Sequence, residues 1–125
     1  MQKKIVVADA PPPGGHYSQG IVAGPFVFVA GQGPLDVTTG TVPEGITAQT
    51  NQVLRNLEAI LRGAECSLEN VVKVTAHLAN LDDFDDFNAA YAEYFPEPFP
   101  VRTTVGSVLK GILVEIDVVA HRPEQ

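Results

Sequence analysis

The sequence predicts a single α/β (α+β) domain in which a mixed β-sheet carries two helices on one face. Two observations predict this class: segments of alternating apolar and polar residues, typical of strands, and two longer segments with apolar residues at helical spacing. With 125 residues, 45% of them hydrophobic, the chain can bury one core and is too short for two ordinary domains. We therefore expect one domain over residues 1–125.

The elements are predicted in the order strand, strand, strand, helix, strand, helix, strand, strand. Proline and glycine at 11–15 end the first strand, and a glycine-rich loop over 32–45, with a turn at Thr38-Thr39-Gly40, precedes the first helix. The predicted strands are residues 3–7, a hairpin that turns at Gly24-Pro25 into 26–31, and then 71–78, 101–106 and 112–120.

Two amphipathic helices are predicted at 46–64 and 80–95. The first has apolar residues at the i, i+3, i+4, i+7 spacing of a helix packed on a sheet, and the second opens with acidic residues and stops before Pro96. The apolar stripe of the second helix also carries Asn88. A buried amide needs hydrogen-bond partners, and these are either backbone groups or a ligand.

The last two strands are predicted to pair as a hairpin through a two-residue turn at Lys110-Gly111. In that register Arg102 and Glu115 leave the same face of the sheet, separated by about 13 Å of backbone at roughly 3.3 Å per residue. Their side chains would then converge on a small ligand as a clamp and a base. The alternative is a solvated arginine and glutamate on an exposed sheet face.

Composition excludes several functions. The formal charge of −7 with eight basic residues disfavours nucleic acid, because polyanion affinity comes largely from Lys and Arg. No apolar run approaches the roughly 20 residues of a membrane span, and the first residues lack the apolar region of a secretory signal. We expect a soluble, cytoplasmic protein without a nucleic-acid or membrane partner.

Cysteine and histidine usage argues against a metal site. Cys66 is the only cysteine, so neither an internal disulfide nor a cysteine cluster can form, and its place at the end of the first helix indicates a structural role. His16, His77 and His121 show no HExxH pattern or close pairing. His77 is expected on a sheet face rather than as a ligand or base.

Several motifs together resemble the reactive intermediate deaminase family (RidA or YjgF-like), also called the endoribonuclease L-PSP family. In chain order they are GGHYSQG, VAGQGPLD, DFxxFNxxYxxYF, FPVRTTV and LVEIDVVA, and they span almost the whole chain. The resemblance implies a chorismate-mutase-like fold and a homotrimer whose sheets form a central barrel, with sites between subunits. It also implies hydrolysis of reactive enamines and imines, such as 2-aminoacrylate and 2-iminopropanoate, to 2-keto acids and ammonia without a cofactor.

By position in these motifs, the resemblance implies that Arg102 holds the substrate carboxylate and that Glu115 positions or activates the attacking water. These residue types suit the chemistry. Arginine presents a planar set of donors matched to a carboxylate and stays charged at cellular pH. Fixing the substrate by that end makes attack on the imine carbon nearly unimolecular, and a carboxylate near the water can accept its proton.

The remaining site residues also follow from the resemblance. Tyr17 and Asn88 would shape the site, and the backbone at Gly31 and Thr104 would contact the ligand. Two positions depart from many family members, which have serine where Ala30 stands and cysteine where Thr104 stands. The turn around Lys110-Gly111 is shorter than usual, which predicts an altered cleft rim.

Two other functions remain open. A protein of the same fold could bind or sense a small carboxylate without catalysis, an alternative motivated by Ala30 and Thr104. The family's older name suggests a ribonuclease or translation inhibitor, which the acidic balance disfavours. The physiological imine and the subunit that supplies each site residue also remain open.

Overall fold

A computed structural model describes residues 2–123 as six strands and two α-helices, and the ends of the predicted domain, residues 1 and 124–125, lie outside this range. Two short 3₁₀ turns, Leu68–Asn70 and Leu81–Asp83, precede a strand and a helix. The elements are β1 (Gln2–Ile5), β2 (Gly20–Ala23), β3 (Phe26–Gln32), α1 (Ile46–Arg62), β4 (Val71–Leu78), α2 (Phe84–Tyr91), β5 (Val101–Gly106) and β6 (Val114–His121).

All six strands form one mixed sheet in the order β1-β2-β3-β6-β4-β5. The pairing of β4 with β5 is parallel, and the other four pairings are antiparallel. The predicted α+β class, the β2–β3 hairpin and the bounds of β4 are confirmed. Helix α2 is shorter than predicted, because its first turn is 3₁₀ and its regular part ends at Tyr91.

The predicted pairing of the last two strands is wrong. Strand β4 lies between β5 and β6, so these two strands share no hydrogen bonds and Lys110-Gly111 does not close a two-residue hairpin. Apolar alternation reports which residues share a face of a strand, but it does not identify the neighbouring strand. The parallel β4–β5 pairing uses α2 as its crossover, a connection that the order strand, helix, strand permits.

The two faces of the sheet differ in what covers them. Helix α1 buries an apolar stripe, including Val53, Leu57 and Ile60, against one face, and α2 adds Phe87 and Tyr91 to the same core. We call the opposite face the bare face. Its exposed apolar side chains include Phe26, Phe28, Val101 and Val105.

Buried amide side chains fix the segments beside the sheet. Gln19 accepts a hydrogen bond from the Val7 amide at 2.8 Å and donates to the Pro11 carbonyl at 2.9 Å, which holds the proline-rich segment against β2. Asn56 of α1 donates to the carbonyls of Gly33 and Leu35, which anchors the start of the long loop. None of the helices within residues 2–123 is long and apolar enough to cross a membrane.

Candidate active site

Arg102 lies near the start of the edge strand β5, on the face that the helices cover. It is registered with Val74, whose side chain is fully buried in the core on that face. The guanidinium reaches α2, where Nη1 donates a 2.8 Å hydrogen bond to Oδ1 of Asn88. The partner of the Asn88 amide, which the sequence leaves open, is therefore this arginine. The amide fixes one donor of the guanidinium and leaves the others for a ligand.

Aromatic rings of α2 hold the same guanidinium. Its central carbon lies 4.6 Å from the ring centroid of Tyr91, and 5.6 and 5.7 Å from those of Phe87 and Phe84. These distances lie within the range of cation–π attraction. The three rings come from the apolar stripe predicted for this helix, but the sequence pattern assigns them to the core and gives no sign that they also contact Arg102.

Two buried oxygens without partners flank Arg102. Among the described residues, the hydroxyl oxygens of Thr50, Tyr91 and Thr104 are buried without a hydrogen-bond partner. Thr104 follows Arg102 by two residues and leaves the same face of β5, and Tyr91 lies under the guanidinium. Burial raises the pKa of the Tyr91 phenol, and the positive charge of Arg102 opposes part of that rise. The phenol is therefore neutral at physiological pH.

Glu115 lies on the bare face, in close contact with Gly31 of β3. A β-carbon built on Gly31 would lie 2.8 Å from Oε2 of Glu115, so the carboxylate occupies the space that a side chain would need. The regular register of β3 and β6 is interrupted between Val29 and Gln32, which includes this point. Such irregularities are common next to functional sites, where they redirect side chains.

Tyr17 and Ala30 belong to the same region of the chain as Gly31. The Ala30 amide donates to the Gln19 carbonyl at 2.9 Å, which attaches the segment containing Tyr17 to the irregular part of β3. The Tyr17 hydroxyl accepts a 3.0 Å hydrogen bond from the Gly14 amide, and 51% of this residue remains exposed. Its ring is therefore available to a ligand or a partner.

The predicted site residues therefore fall into two groups in the chain, which we call half-sites. The arginine half-site contains Asn88, Arg102 and Thr104, and the glutamate half-site contains Tyr17, Ala30, Gly31 and Glu115.

Within one chain the two half-sites do not meet. Arg102 pairs with Val74 of β4, and Glu115 pairs with His77 of the same strand. The side chains of Val74 and His77 point to opposite faces of β4, because the two residues are three positions apart. Arg102 and Glu115 therefore leave opposite faces of the sheet. The expectation that they share a face is wrong because it depended on the hairpin. Tyr17 precedes β2, which is four strand spacings from β5, or about 19 Å. A ligand can touch both half-sites only if a second chain supplies one of them.

His77 has neighbours that the sequence does not indicate. Its Nδ1 lies 2.8 Å from the Ser107 hydroxyl, and its Nε2 lies 3.9 Å from a carboxylate oxygen of Asp117. Its expected place on a sheet face is confirmed. Within residues 2–123, no cluster of three or more His, Cys, Asp or Glu side chains could hold a metal ion.

The fold and these half-sites define a class: a small α+β protein that presents a fixed arginine on an edge strand and a carboxylate on a bare sheet face. The chain belongs to the endoribonuclease L-PSP family, whose model matches residues 7–122. The resemblance predicted from the motifs is thereby confirmed.

Relatives of this chain are named as family proteins and as deaminases. A RutC family protein of Pyrococcus horikoshii is 46% identical over 125 residues, covering 98% of this chain and 99% of that protein. A 2-iminobutanoate/2-iminopropanoate deaminase of Bos taurus is 37% identical over 123 residues, covering 96% and 90%. The crystal structure of E. coli TdcF with bound serine has a TM-score of 0.90 and 30% identity, covering 97% of this chain and 99% of that one.

Proposed function

We propose that the chain is a homotrimeric deaminase that hydrolyses 2-imino acids, and their enamine tautomers, to 2-keto acids and ammonia. The observation that carries this proposal is the Arg102 guanidinium, which Asn88 and three rings hold in place while its other donors have no hydrogen-bonded acceptor among residues 2–123. Support also comes from relatives at 37% identity that bear the name 2-iminobutanoate/2-iminopropanoate deaminase.

In the proposed reaction, water adds to the carbon of a protonated imine. Over the reaction the added water gives up both of its protons, the nitrogen gains two, and the carbon–nitrogen bond breaks, so that R–C(=NH₂⁺)–COO⁻ and H₂O give R–CO–COO⁻ and NH₄⁺. The iminium carbon is already electrophilic. The protein therefore needs to orient the substrate and to accept a proton from the water.

Arg102 would bind the substrate carboxylate. Charge-assisted hydrogen bonds from a guanidinium to a carboxylate are short and directional, and the hydrogen bond to Asn88 limits rotation of the group. The crystal structure of the relative TdcF contains serine, which itself carries a carboxylate. Holding the substrate by its carboxylate leaves the imine carbon exposed to water on the opposite side.

Glu115 would accept the proton of the attacking water. Its carboxylate lies over Gly31, where the backbone of β3 is irregular and has no side chain to cover it. Because Glu115 and Arg102 leave opposite faces of one sheet, we propose that the glutamate half-site of one protomer faces the arginine half-site of the next.

The proposed assembly also covers the bare face. Exposed Phe28 and Val101, on strands three apart in the sheet, would be removed from water by contact between chains. A repeated contact between the two different half-sites forms a closed ring when the rotation between neighbouring protomers closes, and we propose that it does so here. The family resemblance favours three subunits, with the sheets forming a central barrel. Sedimentation should then give about three times the chain mass of 13.3 kDa.

Imine hydrolysis can be measured with an amino-acid oxidase that releases the imine and semicarbazide that traps it. Hydrolysis by the protein should lower the rate of semicarbazone formation. Arg102→Ala should reduce kcat/KM by about 100-fold or more, since charge-assisted hydrogen bonds to the carboxylate are lost. Arg55→Ala is the matched control, because Arg55 is exposed on α1 and belongs to neither half-site.

The outcome also separates the proposal from its alternatives. Full activity in Arg102→Ala would remove the carboxylate clamp. A wild-type protein that gains thermal stability with 2-oxobutanoate, but does not speed hydrolysis of any imine, would be a carboxylate-binding protein instead. RNA cleavage that disappears in Arg102→Ala and Glu115→Ala would favour the ribonuclease, against the electrostatic expectation from a charge of −7.

A further inference from the structure

A cleft of about 370 Å³ opens beside Arg102, between the end of α2 and the segment that leads into β5. Asn88 and Arg102 are the amide and charged residues of its lining, and the rest of its wall is Tyr91, Ala92, Phe95, Phe99 and Pro100. Pockets for small molecules commonly measure roughly 300–1,000 Å³ and combine an apolar wall with a few polar groups. The size and composition of this cleft match that description.

Charge and exposure define what the cleft would accept. Arg102 is the one charged residue among those that line it, so the cleft suits a single anionic group attached to an apolar one. Phe99 is 65% exposed, which leaves apolar surface that a ligand could remove from water. A second carboxylate would find no second cation in the lining.

We propose that this cleft binds the side chain of the substrate, so that the protein prefers 2-imino acids with branched aliphatic or aromatic side chains. This inference rests on the proposed function, because it assumes that Arg102 holds the carboxylate of the same molecule. With the carboxylate at Arg102, a side chain of four or more carbons lies against Phe95, Phe99 and Pro100. The methyl group of 2-iminopropanoate reaches little of that surface, and an acidic side chain is disfavoured there.

Ala92 gives a direct test, because it lines the cleft and its small side chain is exposed at the end of α2. Ala92→Trp should fill the cleft. Ala89→Trp, the same change one turn earlier on an exposed position outside the cleft lining, is the matched control. Both variants are compared with the wild type in the semicarbazide assay, with imines released from leucine, phenylalanine, alanine and glutamate.

The readout is the ratio of kcat/KM for the leucine-derived imine to that for the alanine-derived imine. We expect a ratio of about 10 or more in the wild type and in Ala89→Trp, the size of discrimination that an apolar pocket provides. The ratio should fall about 10-fold or more in Ala92→Trp. An unchanged ratio in Ala92→Trp, or a wild type that prefers the alanine or glutamate imine, would overturn the proposal.

A binding measurement keeps this inference separate from the proposed activity. In the wild type and Ala89→Trp, 4-methyl-2-oxopentanoate should raise Tm more than 2-oxobutanoate does at equal concentration, and Ala92→Trp should remove the difference. If the wild type hydrolyses no imine, the proposed function fails while this test of the cleft still stands. If Ala92→Trp does not fold, Phe99→Ala should also reduce the difference, and an unchanged difference there would overturn the proposal.

Discussion

Arg102 and Glu115 leave opposite faces of one β-sheet, and β4 separates the strands that carry them. The chain therefore holds both chemical groups of the proposed reaction without bringing them together. Asn88 and the rings of α2 fix the arginine, whereas the irregular part of β3 makes room for the glutamate. This separation leads us to propose a site shared between protomers.

Gly31→Ala should impair the reaction while leaving the fold intact. A β-carbon at this position would lie 2.8 Å from Oε2 of Glu115, and the carboxylate, at the end of a flexible side chain, would move away. We expect kcat to fall about 10- to 100-fold, because a displaced carboxylate would lose part of the roughly 10²–10⁴-fold that general acid–base catalysis contributes. Steady-state kinetics with the imine assay measure the change.

A double-mutant cycle shows whether the effect of Gly31→Ala acts through Glu115. If it does, the alanine should cost little further activity in a Glu115→Gln background. Additive losses in the double variant would mean that Gly31 contributes independently of the carboxylate.

Replacement of Tyr91 should separate the effect of its ring from that of its hydroxyl. Tyr91→Phe keeps the ring 4.6 Å from the Arg102 guanidinium carbon and removes a buried hydroxyl without a partner, so both stability and keto-acid affinity should be retained or improved. Tyr91→Leu loses the cation–π contact. Its affinity for 2-oxobutanoate, measured by calorimetry, should fall about 2- to 30-fold.

A general loss of stability needs its own control in the Tyr91 experiment. Val27→Ala creates a cavity in β3, which β6 and β4 separate from β5, and should cost about 2 kcal/mol without weakening 2-oxobutanoate binding. Equal losses of affinity in Val27→Ala and Tyr91→Leu would show that Tyr91 does not position the arginine.

The free energy of unfolding should fall as the pH rises from about 8 to 9.5. Burial raises the pKa of the Cys66 thiol in the folded state, whereas an unfolded thiol ionises near 8.5. Above that pH the unfolded chain binds fewer protons than the folded chain, so alkali favours unfolding. Urea unfolding at constant protein concentration should give a smaller pH dependence for Cys66→Ala. Identical slopes would contradict a raised pKa for this thiol.

The sequence predicts the fold better than it predicts the strand pairing. Helical spacing indicates α1 from Ile46, and alternation indicates β4 and β5 at their observed bounds, because these patterns depend on local burial. Pairing depends on contacts between distant segments. The apolar residues of β5, including Val101 and Val105, face the bare side rather than the core, so alternation could not show which strand lies beside β5.

The motifs also identify site residues without their spatial relations. Arg102 and Asn88 are 14 residues apart and form a hydrogen bond. The position of Asn88 on an apolar stripe indicates that its amide needs a hydrogen-bond partner, but it does not indicate that the partner is Arg102. The contact of Tyr91 with Arg102 has no separate signal, because a tyrosine at that spacing is equally suited to the core.

Subunit complementation tests the shared site most directly. Arg102→Ala and Glu115→Ala should each be inactive, but protein reassembled from an equal mixture should regain about a quarter of the wild-type activity. In a cyclic assembly each site combines the arginine half-site of one chain with the glutamate half-site of the next, and each half-site is intact in half of the chains, so about one site in four is complete. Arg102→Ala mixed with the double variant is the control and should stay inactive. Activity that does not return in the mixture, although sedimentation shows that the chains have mixed, would contradict a site formed between protomers.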